Sequence, residues 1–138
     1  MNLSPTILAL PVAIPLLFAA IEIVAQLMRA PRYVAAQKLL STVAVFLNLI
    51  VALVILAYTL TGGRLVFQVG LWPAPFGITV FADAMTGIML AVVGLLAALL
   101  LPYAAGTLDN RREQLGFYPM ALLLLMGANG AFITGDLF

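Results

Sequence analysis

The sequence predicts an all-α membrane protein in which about four helices span a bilayer and a short β-hairpin joins the second helix to the third. Hydrophobic residues make up 65% of the chain, and only 8% of it is charged. A soluble domain carries about 25% charged residues, so this chain has too few charges to cover a soluble surface. The apolar residues also form long, nearly unbroken stretches, which indicates that lipid is the solvent.

Four apolar stretches are the predicted spans of a single membrane unit covering residues 1–138. A helix needs about 20 apolar residues to cross the hydrocarbon core. Three stretches reach that length and the fourth nearly does. Inside lipid every backbone amide must be paired within its own segment, which favours helices. The spans are predicted at residues 6–28, 39–61, 82–105 and 117–134.

The connection at residues 62–81 has internal structure of its own. Its two ends, 64–70 and 78–81, are rich in β-prone residues, and prolines and a glycine lie between them. This pattern predicts a turn between two strands. We expect a short hairpin on the outer membrane face, with Trp72, Phe67 and Phe76 suited to the interfacial aromatic belt.

Basic residues predict the orientation of the spans. The first and third connections, residues 29–38 and 106–116, contain five Lys or Arg residues, whereas the second contains only Arg64. Short loops rich in Lys and Arg favour the cytoplasm. We therefore expect these two loops inside the cell and the N-terminus outside a cell membrane. The N-terminal stretch lacks a basic region and is too long for a signal peptide, so it is expected to be a retained span.

Composition excludes several function classes. A net charge of +1 argues against a nucleic-acid partner. With no Cys and no His, the chain has no thiolate or imidazole for catalysis or metal binding. Phosphate loops, nucleophile elbows and paired carboxylates are absent from the sequence as well. We therefore predict no catalytic residue, no cofactor and no metal site, and we do not expect an enzyme.

Glu22 is an acidic residue well inside the first predicted span, about 9 Å of helix rise from residue 28. A charged group within a membrane is costly and is often functional. One interpretation is a proton or ion site that faces a partner helix. The other is an acid near the interface, hydrogen-bonded to Gln26 or paired with Arg29 or Lys38. We favour the second interpretation.

Asn48 and Asn129 are polar residues within the second and fourth spans. An amide in a membrane helix can bridge to a neighbouring helix, so a packing role is favoured for Asn48 over ion binding. Asn129 lies among small residues at 127–131, which favours a close approach of two helices; a hydrated path is the alternative. In the first span, neighbouring helices are expected to satisfy the backbone groups freed by Pro11 and Pro15.

Two further acids stand where helices are predicted to begin. Asp83 lies where the second connection enters the third span, and a carboxylate in the first turn of a helix is favoured by capping and by the helix dipole. Asp136 follows a glycine near the end of the sequence. We interpret it as the start of a further helix, so that the sequence is expected to be a truncated, split or partial subunit.

Two stretches resemble a known family. They are QVGLWPAPFGITVFADAMTGIML at 68–90 and FYPMALLLLMGANGAFITGDLF at 117–138. Both resemble the antiporter-type subunits of the complex I superfamily, and most closely the D subunit of the multisubunit Mrp-type Na⁺/H⁺ antiporter. The similarity covers the whole chain and roughly the N-terminal quarter to third of such a subunit.

This resemblance implies part of a Na⁺/H⁺ antiporter that works in a hetero-oligomeric complex in the lipid bilayer. The buried Glu and Lys residues of the family's proton path follow beyond the matched region, so none can be assigned here. The isolated chain is therefore expected to move no ions. The matching positions Asp83, Asn129, Gly135 and Asp136 are expected to be architectural.

Two alternatives stay open at this point. The same module occurs in proton-pumping NADH:quinone oxidoreductase and in membrane-bound hydrogenases, whose redox cofactors sit in other subunits. The chain could also be a purely structural scaffold, which would contact a partner through residues 127–131 and the outer hairpin.

Overall fold

The structure is a computed structural model that describes residues 4–28, 32–69 and 78–134. A short 3₁₀ helix, Pro5–Ala9, leads directly into the first α-helix. The described elements confirm the predicted all-α fold with a two-stranded hairpin. In chain order they are α1 (Leu10–Leu27), α2 (Tyr33–Leu60), β1 (Leu65–Val69), β2 (Ile78–Ala82), α3 (Ala84–Thr107), α4 (Asn110–Gln114) and α5 (Phe117–Ile133).

Three helical segments of the described chain are long and apolar enough to cross a membrane: Pro5–Leu27, Tyr33–Leu60 and Ala84–Thr107. The fourth, α5, is apolar but has 17 residues. Helix α2 has 28 residues, so its length of about 42 Å exceeds the hydrocarbon core of about 30 Å. It is therefore longer than a helix needs to be to cross the hydrocarbon core along the bilayer normal.

Helix α2 begins at Tyr33 and not at residue 39, where the apolar stretch begins. The segment before residue 39 contains alanines, Gln37 and Lys38, which are good helix formers although they are not all apolar. Hydropathy marks only the lipid-facing part of a helix, and here the helix is longer than that part. Lys38 is consequently a helical residue and not a loop residue.

The helices form a bundle in which α1 packs against α2 and α5, and α2 packs against α3. Helix α3 also contacts α5. Two apolar clusters fill the interior. The hairpin cluster consists of Leu8, Ala52, Ile55, Leu65, Val80, Ala82, Leu90 and Ile133. The lower cluster consists of Ala19, Ala44, Val45, Ala97, Ala98, Leu101, Leu122 and Leu125.

The hairpin closes one end of the bundle. Its strands are antiparallel, with Leu65 opposite Ala82 and Val69 opposite Ile78. Leu65, Val80 and Ala82 are buried in the hairpin cluster, whereas Val66 is exposed, which is the alternation expected of a sheet with one packed face. The turn that would carry Trp72 and Phe76 lies outside the described residues.

Helices α2 and α3 approach each other closely at Gly87. A Cβ added at Gly87 would lie 2.7 Å from the Thr59 Oγ1 and 3.0 Å from the Leu56 Cα. By contrast, a Cβ at Gly127 would meet no described atom within 4 Å, and one at Gly130 would meet only Val12, at 3.9 Å. The described atoms make no close backbone contact at these two glycines, and the tight interface expected at residues 127–131 stays a prediction.

Candidate functional site

The buried polar side chains of the spanning helices lie in two layers. We call Pro11, Asn48 and Asn129 the asparagine layer, and Glu22, Gln26, Gln37 and Ser41 the glutamate layer. On α2, Asn48 follows the lower-cluster residue Val45, and the glutamate-layer residue Ser41 precedes it. The lower apolar cluster therefore separates the two polar layers. From Ser41 to Asn48 the rise along α2 is about 10 Å.

The asparagine layer connects α1, α2 and α5. The Asn129 Nδ2 donates to the main-chain oxygen of Pro11 over 2.7 Å and to the Asn48 Oδ1 over 3.2 Å. Both asparagines are fully buried. Pro11 lies four residues before Pro15, whose ring nitrogen has no hydrogen to donate to that oxygen. Asn129 thus supplies, from a neighbouring helix, the donor that Pro15 removes from α1.

The glutamate layer connects α1 to α2. The Ser41 hydroxyl donates to the Glu22 Oε1 over 2.7 Å. The Gln37 Nε2 donates to the main-chain oxygen of Glu22 and to the Gln26 Oε1, both over 3.2 Å. Glu22, Gln37 and Ser41 are fully buried. The Gln26 Nε2 in turn donates to the main-chain oxygen of Gln114 over 3.1 Å, which extends the layer to the end of the bundle.

The pairing predicted for Glu22 with Gln26 or Lys38 is wrong. Its carboxyl oxygen receives the hydroxyl of Ser41, and neither Gln26 nor Lys38 pairs with that carboxyl. Lys38 instead pairs with Glu113 of α4, because the helical start of α2 places it on a different face from Gln37. Arg29, the other predicted partner, lies outside the described residues.

Lys38 and Glu113 form an ion pair at the rim of the bundle. The Lys38 Nζ lies 2.7 Å from the Glu113 Oε1 and also donates to the main-chain oxygen of Ala105 over 3.2 Å. The Tyr118 hydroxyl donates to the same Glu113 oxygen over 2.9 Å. The hydrogen bond from Lys38 is the main cause that lowers the pKa of Glu113, and it outweighs the opposing effect of burial. These contacts join α4 to α2 and α5, and Lys38 also joins α2 to α3.

Four buried polar atoms have no hydrogen-bond partner among the described residues. They are the Glu22 Oε2, the Gln37 Oε1, the Asn48 Nδ2 and the Asn129 Oδ1. Buried polar atoms are nearly always hydrogen-bonded, so each unpaired one needs an explanation. Two of these unpaired atoms belong to the asparagine layer and two to the glutamate layer. The remaining side-chain oxygen or nitrogen of each of the four residues is hydrogen-bonded.

Asp83 is the N-cap of α3, as its position in the sequence suggests. Its Oδ1 accepts the backbone N–H of Thr86 over 2.9 Å. This hydrogen bond is the largest cause that lowers the pKa of the Asp83 carboxyl. The side chain therefore has a capping role at the hairpin end of the bundle. Asp136 lies outside the described residues, as does Gly135.

Sequence reasoning named Glu22, Asn48 and Asn129 but did not assign Gln37, Ser41 or Glu113 to a site. The structure brings Asn48 and Asn129 together and places Glu22 in a separate layer. A signal for the missed residues exists on α2, because positions 37, 41 and 48 are spaced by four and seven residues and so share one helix face. No such spacing reveals Glu113, which joins the rim through the tertiary fold. Within the described ranges no three acidic residues come together as a metal-binding group.

No family model matches the chain. Individual relatives do match. The D subunit of the Na(+)/H(+) antiporter of Alkalihalophilus pseudofirmus is 37% identical over 102 residues, which cover 74% of this chain and 21% of the relative. The D subunit of the Bacillus subtilis Na(+)/H(+) antiporter is 31% identical and covers 94% of this chain and 25% of the relative. The D subunit of a probable K(+)/H(+) antiporter of Rhizobium meliloti is 37% identical and covers 96% and 24%, respectively.

A solved structure shows the same fold. The structure of the Mrp complex from Dietzia sp. DQ12-45-1b contains a chain that matches all of this protein with a TM-score of 0.82 at 28% identity. The match covers 24% of that chain. The protein spans about a quarter of the length of the relatives it matches. The resemblance inferred from the sequence is thus confirmed, and the chain belongs to the family of the Mrp-type antiporter D subunits.

Proposed function

We propose that the chain forms part of a subunit of a multisubunit antiporter that exchanges a monovalent cation, Na⁺ or K⁺, for protons. The observation that carries this proposal is the similarity over 94% or more of the chain to D subunits named for Na⁺/H⁺ or K⁺/H⁺ exchange. Buried polar layers inside apolar helices support it, because polar groups within a membrane are costly and are kept where they serve transport or helix packing.

The partners in this proposal are the lipid bilayer and other subunits of the complex. Large side chains such as Leu17, Leu99 and Leu124 are more than half exposed on the helix surfaces, where lipid or neighbouring helices would cover them. We further propose the cell membrane as the location, with the Lys38–Glu113 rim on the cytoplasmic side and the hairpin outside. The distribution of Lys and Arg between the loops supports this orientation.

The test uses everted membrane vesicles from an antiporter-deficient strain that expresses the complete complex. A respiratory substrate generates a pH gradient, and NaCl, KCl or choline chloride is then added. We expect Na⁺ or K⁺, but not choline, to dissipate the gradient, and vesicles lacking the complex to show no response. A complex that responds to no monovalent cation, or whose proton movement depends on NADH or H₂ oxidation, would contradict the proposal and favour the redox-driven alternative.

A second role, that of a helical scaffold, is favoured by the asparagine layer. Asn129 is held by a backbone group of α1 and a side chain of α2, so it fixes the relative positions of three helices. In this role, Asn129→Leu should reduce antiport and the yield of assembled complex on native gels to the same extent. A fully assembled variant complex without antiport would rule out the scaffold as the main role of this layer.

A further inference from the structure

The glutamate layer contains two hydrogen-bond acceptors that lack a donor. The Glu22 Oε1 is occupied by the Ser41 hydroxyl, whereas its Oε2 has no described partner. The Gln37 Nε2 is occupied by the main-chain oxygen of Glu22 and by Gln26, whereas the Gln37 Oε1 has no described partner. Flipping the Gln37 side-chain amide would not satisfy these acceptors, because the Gln37 oxygen would then face the main-chain oxygen of Glu22. The glutamate layer therefore lacks a hydrogen-bond donor for these two oxygens.

An ionised Glu22 would also lack a counter-ion in the described structure. On α2 the nearby cation Lys38 is paired with Glu113 of α4, and on α5 the Tyr118 hydroxyl donates to Glu113. Helix α1 itself carries no second charged group, and Arg32 and Tyr33 stand at the first residues of α2, beyond Gln37. A buried carboxylate without a partner is strongly disfavoured.

We propose that Glu22 is a proton-binding site between α1 and α2. In the occupied site, a proton from the aqueous phase is bonded to the Oε2 and the carboxyl is neutral. The resulting O–H donates to the Gln37 Oε1, either directly or through one buried water, and the Ser41 hydroxyl keeps the Oε1 in place. One hydrogen thereby satisfies both unpaired acceptors of the layer.

The same geometry leads from the site toward the end of the bundle, where water supplies the proton. Gln26 is only partly buried and connects Gln37 to the exposed main-chain oxygen of Gln114. Polar groups therefore continue from Glu22 to the end of the bundle, away from the asparagine layer. The lower apolar cluster blocks the opposite direction with side chains such as Ala19, Val45 and Leu122. The polar side of the buried site thus faces one end of the bundle, and its apolar side faces the other.

Infrared difference spectroscopy on the assembled complex tests this proposal. A neutral carboxylic acid has a C=O stretching band that a carboxylate lacks, and the band moves when the acid hydrogen is exchanged for deuterium. We expect Glu22→Gln to remove one such band from the spectra recorded at low pH. The matched control is Glu113→Gln, which removes a paired, ionised carboxylate and should leave the band in place. A spectrum that is unchanged by Glu22→Gln would overturn the proposal and indicate an ionised Glu22 with a partner such as Arg29.

Two variants that retain Glu22 keep the test decisive if Glu22→Gln fails to assemble. Gln37→Leu removes the acceptor, so the acid band should move to higher frequency. Ser41→Ala removes the donor to the Oε1 and should move the band in the same direction. A band that stays in place in both variants would refute the site. Because the spectra read the carboxyl itself, their outcome does not depend on whether the complex carries out antiport.

Discussion

The side-chain amide of Asn129 donates a hydrogen bond of 2.7 Å to the main-chain oxygen of Pro11, the oxygen that Pro15 leaves without its helical donor. A defect in α1 is thus repaired by a residue of α5 that lies far along the chain. Inside lipid no water can take over this task, so the repair links the stability of α1 to the position of α5.

A double-mutant cycle tests this relationship. Asn129→Leu should lower the free energy of unfolding by about 1–3 kcal/mol, because the Pro11 oxygen and the Asn48 Oδ1 lose their donor. In a Pro15→Ala background the loss should be smaller, since residue 15 regains the N–H that Pro11 needs. Pro11→Ala retains the carbonyl and serves as the control, with the full loss expected. Thermal unfolding in detergent provides the measurement. If Asn129→Leu lowers stability equally in the wild type, in Pro15→Ala and in Pro11→Ala, Asn129 does not replace the donor that Pro15 removes.

Substitution by alanine should affect stability differently at Gly87 and at Gly127. Gly87→Ala would place a Cβ 3.0 Å from the backbone of Leu56, which neither helix can avoid without moving. We expect a loss of about 1–3 kcal/mol, as in other overpacked cores. Gly127→Ala has open space in the described structure and should be neutral or should gain up to about 1 kcal/mol from helix propensity. The melting temperatures of the two variants check this, and similar values would show that α2 and α3 are not in close contact.

The Lys38–Glu113 pair predicts a pH dependence of stability. Because the folded state lowers the pKa of Glu113, the pair stabilises the fold fully above the ordinary pKa of 4.5, and this contribution is lost as the pH falls through the lowered value. The melting temperature should therefore fall more steeply with acid in the wild type than in Glu113→Gln. Identical slopes would exclude the pair as a source of acid sensitivity.

Removing the charge of Lys38 alone should destabilise the fold more than removing the charges of both Lys38 and Glu113. Lys38→Met leaves Glu113 buried with only Tyr118 as a donor, whereas Lys38→Met combined with Glu113→Gln leaves no charge unpaired. We expect the double variant to unfold at a higher temperature than Lys38→Met. The reverse order would indicate that Glu113 has another partner in the complex.

Asp83 should act through its hydrogen bond to Thr86. Asp83→Ala is expected to destabilise α3 by about 1 kcal/mol, because the first turn loses its side-chain acceptor. Asp83→Asn keeps an acceptor and should retain most of the stability, which makes it the matched control. Should Asp83→Asn be as unstable as Asp83→Ala, the charge of the carboxylate and not the cap would be the important feature.

The sequence predicted the fold because each of its signals is local. Four apolar stretches identify four helices, and the β-prone ends of residues 62–81 identify the hairpin, since length and residue type are sufficient for both in a lipid solvent. The beginning of α2 at Tyr33 was missed because hydropathy does not register a helix that continues into the polar region. The Asp83 cap could be expected from its place before an apolar run.

What the sequence determined by itself is the membrane class, the four long apolar helices and the presence of a few polar groups that need partners. Only the tertiary structure decided which partners these are. Glu22 bonds Ser41 and not Lys38, and Asn129 bonds a backbone oxygen of α1, because helix packing and not sequence distance sets which atoms meet. In a medium without water, the free-energy cost of an unpaired polar group is high. These long-range hydrogen bonds therefore fix the arrangement of the helices, which local sequence signals do not determine.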